Sequence, residues 1–252
     1  VTAFYTALFF LFGMLFGSFY NVVGLRIPNR ESIIFPPSHC PVCKTRLTAS
    51  QLFPVLSFCI LKGRCRTCQA SISPIYPVME LIAGVSFALV FLFHGFTWKT
   101  IAGLLLASLL LIVSVSDIAY RIIPDRVVLP FLGLFLLLRF FYHPDYSFAN
   151  HLIAMALGFG LFLLLAVLSN GGVGGGDIKL YAVVGLFLGT PLLVLTILLS
   201  TLFGTSYGLL SLLLKGGGRN TAIPFGPFIA LGAMISCLFG EGMIKWYVEH
   251  FF

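Results

Sequence analysis

Apolar residues run along this chain in long blocks, broken by short polar or glycine-rich stretches. Each block approaches the roughly 20 residues that cross hydrocarbon as a helix. They predict spans over residues 1–23, 74–93, 100–116, 127–142, 152–168, 178–189, 192–214 and 223–247, eight in all. The sixth, Ile178 to Gly189, has only twelve residues before Thr190-Pro191 and is expected to be tilted, broken or sheltered by its neighbours. One sizeable polar block, residues 25–74, interrupts the pattern. The expected architecture is an all-α polytopic membrane protein: a first helix over 1–24, a cytoplasmic module over 25–74 and a transmembrane core over 75–252.

Composition supports this and excludes a soluble domain. The 252 residues are 59% hydrophobic and 9% charged, where soluble domains are about a quarter charged. The first block has no basic stretch ahead of it and no evident cleavage site, so it reads as a retained helix rather than a signal peptide. A net charge of +7 would suggest nucleic acid until its placement is considered. Arg26, Arg30, Lys44, Arg46, Lys62, Arg64 and Arg66 crowd into the one polar block. Basic loops stay in the cytoplasm. Threading the spans from that anchor puts twelve Lys/Arg inside and leaves Lys99, Arg139 and Lys245 for outer or membrane positions, with both termini outside. The partner implied by these charges is the lipid bilayer and not nucleic acid.

Within the module, Cys40-Pro-Val-Cys43 and Cys65-Arg-Thr-Cys68 form two Cys-x2-Cys knuckles 21 residues apart. That spacing suits a four-thiolate tetrahedral zinc, which would be structural because no ligand position stays open. A redox pair or four unrelated cysteines are the alternatives, and a reducing cytoplasm disfavours structural disulfides. Fifty residues build little core, so a metal would help this loop to fold. Cys59 and Cys237 have no matching partner and read as buried small apolar residues. Gly13-x3-Gly17 in the first helix allows a close helix–helix approach.

The stretch Gly171-Gly-Val-Gly174-Gly-Gly176-Asp177-Ile-Lys179 links two apolar blocks. A phosphate loop would need Gly-Lys-Ser/Thr at its end, and Asp177 would repel phosphate. A plain loop, an ion-coupling acid and one half of an aspartate pair remain, since acids at membrane depth are functional by default. Helix parity brings Asp117 to the same face as Asp177, on a different helix. Two close carboxylates in a low dielectric share a proton, so that one activates water while the other protonates a carbonyl oxygen or leaving amine. Asp125, after Pro124 and beside Arg126, is expected to cap the next helix or pair with arginine. Glu80 is expected to favour a helix N-terminus. Histidines 39, 94, 143, 151 and 250 show no ligand spacing. A proton-coupled transporter with a zinc-ribbon regulatory loop would also place acids at this depth, whereas a structural membrane scaffold would not need them.

Several linked motifs narrow the choice. Gly13-x3-Gly17-Ser18-Phe19-x-Asn21-Val22, Arg26-x-Pro28, Cys40-Pro-x-Cys43, Ser57-Phe58, Gly63-Arg64-Cys65-Arg66-x-Cys68, Ile72-Ser73 and Tyr76-Pro77-x2-Glu80 occur in this order. Asp117-x6-Pro124-Asp125 and Gly174-x-Gly176-Asp177-Ile178-Lys179-Leu180 follow them. Over nearly the whole chain this resembles the type IV prepilin peptidase / N-methyltransferase family, and its part spacing is similar to the competence-system enzymes of Gram-positive bacteria. The resemblance implies an aspartic protease of the bacterial inner membrane, with Asp117 and Asp177 catalytic and Gly174 and Gly176 shaping the active-site loop. It also implies prepilin or pseudopilin substrates cut on the cytoplasmic side after a glycine. Methylation of the new N-terminal residue from S-adenosylmethionine, associated with the cysteine region, comes from the same resemblance.

Overall fold

The computed structural model describes residues 1–142, 146–215 and 223–251 of the chain. His143, Asp145 and the Gly216–Arg219 part of an expected inner turn lie outside the described residues. The chain is all-helical, with α1 Thr2–Arg26, α2 Leu56–Ile60, α3 Ile75–His94, α4 Trp98–Tyr120, α5 Asp125–Phe141, α6 Phe148–Leu168, α7 Gly175–Leu188, α8 Thr190–Lys215 and α9 Gly226–Phe251. Among the described residues there is no strand, only isolated bridges between His39 and Arg46 and between Arg64 and Ser71. Among the described residues, eight long helices therefore match the eight apolar blocks, each within a few residues.

Six of them, α1, α3, α4, α6, α8 and α9, are long and apolar enough to cross a membrane. The other two fall short: α5 has 17 residues and carries Asp125, Pro130 and Arg139, and α7 has 14. At 1.5 Å per residue α7 is about 21 Å long against roughly 30 Å of hydrocarbon. From Leu180 onward its sequence is apolar on every side, which suits a helix enclosed by protein. Ile178 and every residue from Leu180 to Leu188 are indeed buried, so the shelter expected for this short block is realised. Leucines along α8 (Leu198, Leu202, Leu209, Leu213) and phenylalanines on α1 (Phe12, Phe16, Phe19) are exposed instead. Such surfaces need lipid around them. The protein is an integral membrane protein.

The chain divides into two compact units, residues 1–115 and 116–252, with the boundary inside α4. In the first, α1 and α3 pack through the small residues noted in the sequence. A Cβ at Gly13 would stand 2.5 Å from the Ala83 carbonyl oxygen, and one at Gly17 would stand 2.8 Å from the Ala83 Cβ. Close backbone approach of this kind is what holds helices together when lipid replaces water. Near the far end of the pair, Phe9 stacks on Phe91 with ring centroids 4.4 Å apart.

The second unit is built around α7. A Cβ at Gly158 of α6 would clash with the Tyr181 carbonyl at 2.6 Å, and one at Gly185 with that of Ala154 at 2.5 Å. Arg139 of α5 donates to the Phe187 carbonyl at 2.9 Å and sits 4.7 Å over that residue's ring. A bonded carbonyl near the end of a short helix is spared the cost of an unpaired group away from water.

Candidate active site

Asp117 lies one turn before the end of α4 and is 6% exposed. The turn that follows is tightly specified. Ser116 Oγ donates to the Ile122 carbonyl at 2.6 Å, and Arg121 takes a left-handed φ of 56°. Ile123 and Pro124 are buried, and Pro124 is the N-cap of α5. Asp117 Oδ2 accepts the Gly226 backbone N–H at 2.7 Å, at the first residue of α9. A helix N-terminus carries partial positive charge and unpaired N–H groups, so it is a natural seat for a carboxylate.

Asp177 reaches a comparable environment by another route. After α6, Ser169 Oγ donates to the Leu165 carbonyl and accepts the Gly172 N–H at 3.0 Å. Gly171 turns the chain with φ 89°, a conformation that glycine adopts without strain. Gly174 is the N-cap of α7, so Asp177 occupies the third helical position and bonds back to the Gly174 amide. This is the acidic half of a capping box. The surrounding glycines are not equivalent. A Cβ at Gly174 would stand 3.0 Å from Asp177 Oδ2 and one at Gly176 would stand 2.6 Å from the Ile123 Cβ, whereas one at Gly175 would meet open space. The spacing Gly-x-Gly-Asp thus has a steric basis: the outer two glycines are crowded and the middle one is free.

Both acids belong to the second unit, and the charge of Asp117 reaches Asp177. Beside them Lys179 Nζ holds both Asp125 carboxylate oxygens, at 2.7 and 2.8 Å, tying the start of α7 to the start of α5. One turn below Asp177, Tyr181 stacks on Phe162 with ring centroids 3.7 Å apart, and its hydroxyl lies 2.6 Å from Ser200 Oγ. Two carboxylates at helix ends of one unit, each with a backbone N–H donor, have the chemistry for acid–base work on a water.

In the first unit the four cysteines converge. Sγ–Sγ distances are 3.8 Å for Cys40–Cys68 and 3.9 Å for Cys43–Cys65, and all four sulfurs lie within 4.8 Å of one another. Zinc–sulfur bonds of about 2.3 Å in a tetrahedron give edges of about 3.8 Å, so the cluster fits such an ion. A disulfide would need about 2.0 Å, and all six cysteines are free. The knuckles repeat one backbone design. Cys40 N–H donates to Thr45 and Cys65 N–H to Ala70, while Lys44 and Gln69 both take a φ of 58°. The Thr45 hydroxyl and amide bring the Cys43 thiol down to about 6; amides within the second knuckle, of Cys68 and Thr67, lower Cys65 as well. Despite the Ala70 amide, burial and the three neighbouring thiols push Cys68 up to about 11, so the groups that favour thiolate, and with it a metal, act at Cys43 and Cys65.

Residues 11–94 match the bacterial peptidase A24 N-terminal domain, and residues 104–209 match the type IV leader peptidase family. A prepilin leader peptidase/N-methyltransferase of Bacillus subtilis (strain 168) is 38% identical over 96% of this chain and 98% of its own length. The chain belongs to the type IV leader peptidase family. Relatives bearing the same description in Aeromonas salmonicida (strain A449) and Pseudomonas aeruginosa are each 34% identical, covering 97% and 95% of this chain and 94% and 92% of their own lengths. No solved structure matches this chain.

For this leader peptidase several expectations need correcting. Asp125 is the first residue of α5 rather than its cap, which is Pro124, and its ion-pair partner is Lys179 rather than Arg126. Glu80 does not serve its helix N-terminus: it is buried at the sixth position of α3, where Oε2 accepts the Val55 N–H at 2.8 Å. Cys59 is exposed and Cys237 half-buried, where both were expected to be buried. Gly226 and Tyr181 escaped the sequence reading. Gly226, between Phe225 and Pro227, carried a weak sign, since glycine and proline together mark a helix entry; Tyr181 looked like any apolar helix residue.

Proposed function

We propose that this peptidase removes the leader of type IV prepilins and pseudopilins after a glycine on the cytoplasmic side of the bacterial inner membrane, and N-methylates the new N-terminal residue. Asp117 and Asp177 share one proton. The ionised member takes a proton from water, which attacks the scissile carbonyl; the protonated member gives its proton to the carbonyl oxygen. Collapse of the tetrahedral species returns a proton to the leaving amine. The pair therefore acts as one titrating unit, and neither acid owns a role by itself. The Gly226 N–H and the N-terminus of α7 stabilise the negative charge that must survive in a dry site.

The observation that supports this reading is that two carboxylates of one unit, from separate helices, each sit at a helix N-terminus, with the charge of Asp117 bearing on Asp177. A prepilin with a basic leader and an apolar helix presents its junction at the membrane edge, which is the depth of a helix-end dyad. The names of the Bacillus, Aeromonas and Pseudomonas relatives support both activities. Cys40, Cys43, Cys65 and Cys68 hold a structural zinc that folds the module. S-adenosylmethionine supplies the methyl group, and no residue of this chain is assigned to it. The test is mass spectrometry of a pilin substrate incubated with S-adenosylmethionine. Loss of the leader and a gain of one methyl on the mature N-terminus are expected; an intact leader would overturn the peptidase reading, and an unmethylated product the second activity.

A further inference from the structure

The cysteine module carries an apolar stripe that nothing among the described residues covers. Leu56 and Ile60 are four residues apart on α2, hence on one face, and are 56% and 79% exposed. Leu52 and Phe53 in the preceding turn are 41% and 53% exposed. Phe58, on the opposite side, is turned inward over Gly63, whose Cβ would stand 3.0 Å from its ring.

The height of this stripe is fixed by a buried acid. Val55, the N-cap of α2, takes a left-handed φ of 59° and donates its N–H to Glu80 Oε2. Glu80 also bonds to Ser18 of α1. As the sixth residue of α3, it lies about 7.5 Å along the axis from the helix start. Ser18, eight residues before the end of α1, lies about 12 Å in from that end. The 20 residues of α3 measure about 30 Å, the thickness of the hydrocarbon core, so no spare turn projects into water. The start of α2 is consequently tied to both spanning helices at or below the edge of the hydrocarbon.

We propose that Leu52–Ile60 is an interfacial segment, its apolar stripe inserted among the acyl chains and its flanking charges on anionic lipid headgroups. Lys62, Arg64 and Arg66, all exposed, directly follow α2, and Glu31 is the single acid among residues 25–74. That charge balance suits anionic lipid and repels a second copy of the same module. The inference rests on α1 and α3 crossing the membrane and is independent of the peptidase reading.

The test uses the full chain with its two tryptophans, Trp98 and Trp246, changed to phenylalanine. Phe53→Trp, Leu56→Trp and Ile60→Trp are introduced one at a time, the first exchanging one aromatic ring for another. Each variant is placed in vesicles of phosphatidylglycerol and brominated phosphatidylcholine. The new fluorescence is expected to be quenched by bromolipid as strongly as that of Leu198→Trp, a control on the exposed face of α8, and to be shielded from aqueous acrylamide. Quenching by acrylamide without quenching by bromolipid would mean that the stripe stands in water. Shielding from both would mean that protein covers it. Either result at all three positions overturns the proposal.

Discussion

The cysteine module and the aspartate site both gather groups that repel when charged, and they do so over very different distances. Cys40 and Cys68 are 28 residues apart in one loop, and each knuckle is closed by its own backbone hydrogen bonds. Asp117 receives its donor from Gly226, 109 residues away, and Asp177 is held by a loop and helix that pack against other helices. The sulfurs of the module are gathered by short turns within one loop, whereas the two acids are placed by helices that meet only in the folded unit. On the proposed reading, the module would lose and regain its zinc by metal exchange, and the dyad would fail only when a carboxylate, or the packing under it, changes.

The largest break in that comparison should come from Asp117→Asn or Asp177→Asn. Each is expected to lower leader cleavage by at least about a hundredfold, while zinc content and helical circular dichroism stay at wild-type levels. Continued cleavage by either variant would remove that residue from the mechanism. Next, Cys40→Ser combined with Cys65→Ser should take bound zinc from one per chain to none, measured by elemental analysis. Cleavage should persist, because the two sites lie in separate compact units.

The pH dependence sharpens the contrast further. With both acids protonated there is no base, and with both ionised there is no acid, so kcat/KM should rise and then fall as pH increases. A profile that rises to a plateau would mean that a single ionised carboxylate suffices. The glycines offer a finer test. Gly176→Ala forces a Cβ against Ile123 at 2.6 Å and should cost about 1–3 kcal/mol of stability with a loss of activity. Gly175→Ala meets open space and should retain activity; equal effects would dismiss the steric account of the motif. Smallest of all, Asp125→Asn should destabilise by less than about 1 kcal/mol in thermal unfolding, because the pair with Lys179 is half-exposed.

The apolar blocks made eight helices legible, since a segment that enters lipid must satisfy its own backbone within a length fixed by the bilayer. Cys-x2-Cys spacing was legible for a similar reason: a metal's ligands come from short turns whose geometry neighbouring residues set. Parity along the blocks predicts Asp117 and Asp177 on one face. It could not supply Gly226, whose amide meets Asp117 only after α9 returns to that end of the unit. Nor could it tell which glycines of Gly171–Gly176 are crowded, since Gly176 meets Ile123 from another helix junction. Glu80 looked like a helix-end charge because its partner, Val55, is 25 residues away in a loop. Sequence determined which segments are apolar enough to enter the membrane and which cysteines can gather, because both follow from local composition and spacing. Tertiary structure decided what each carboxylate touches, because hydrogen-bond partners and steric room are properties of chains that meet in space.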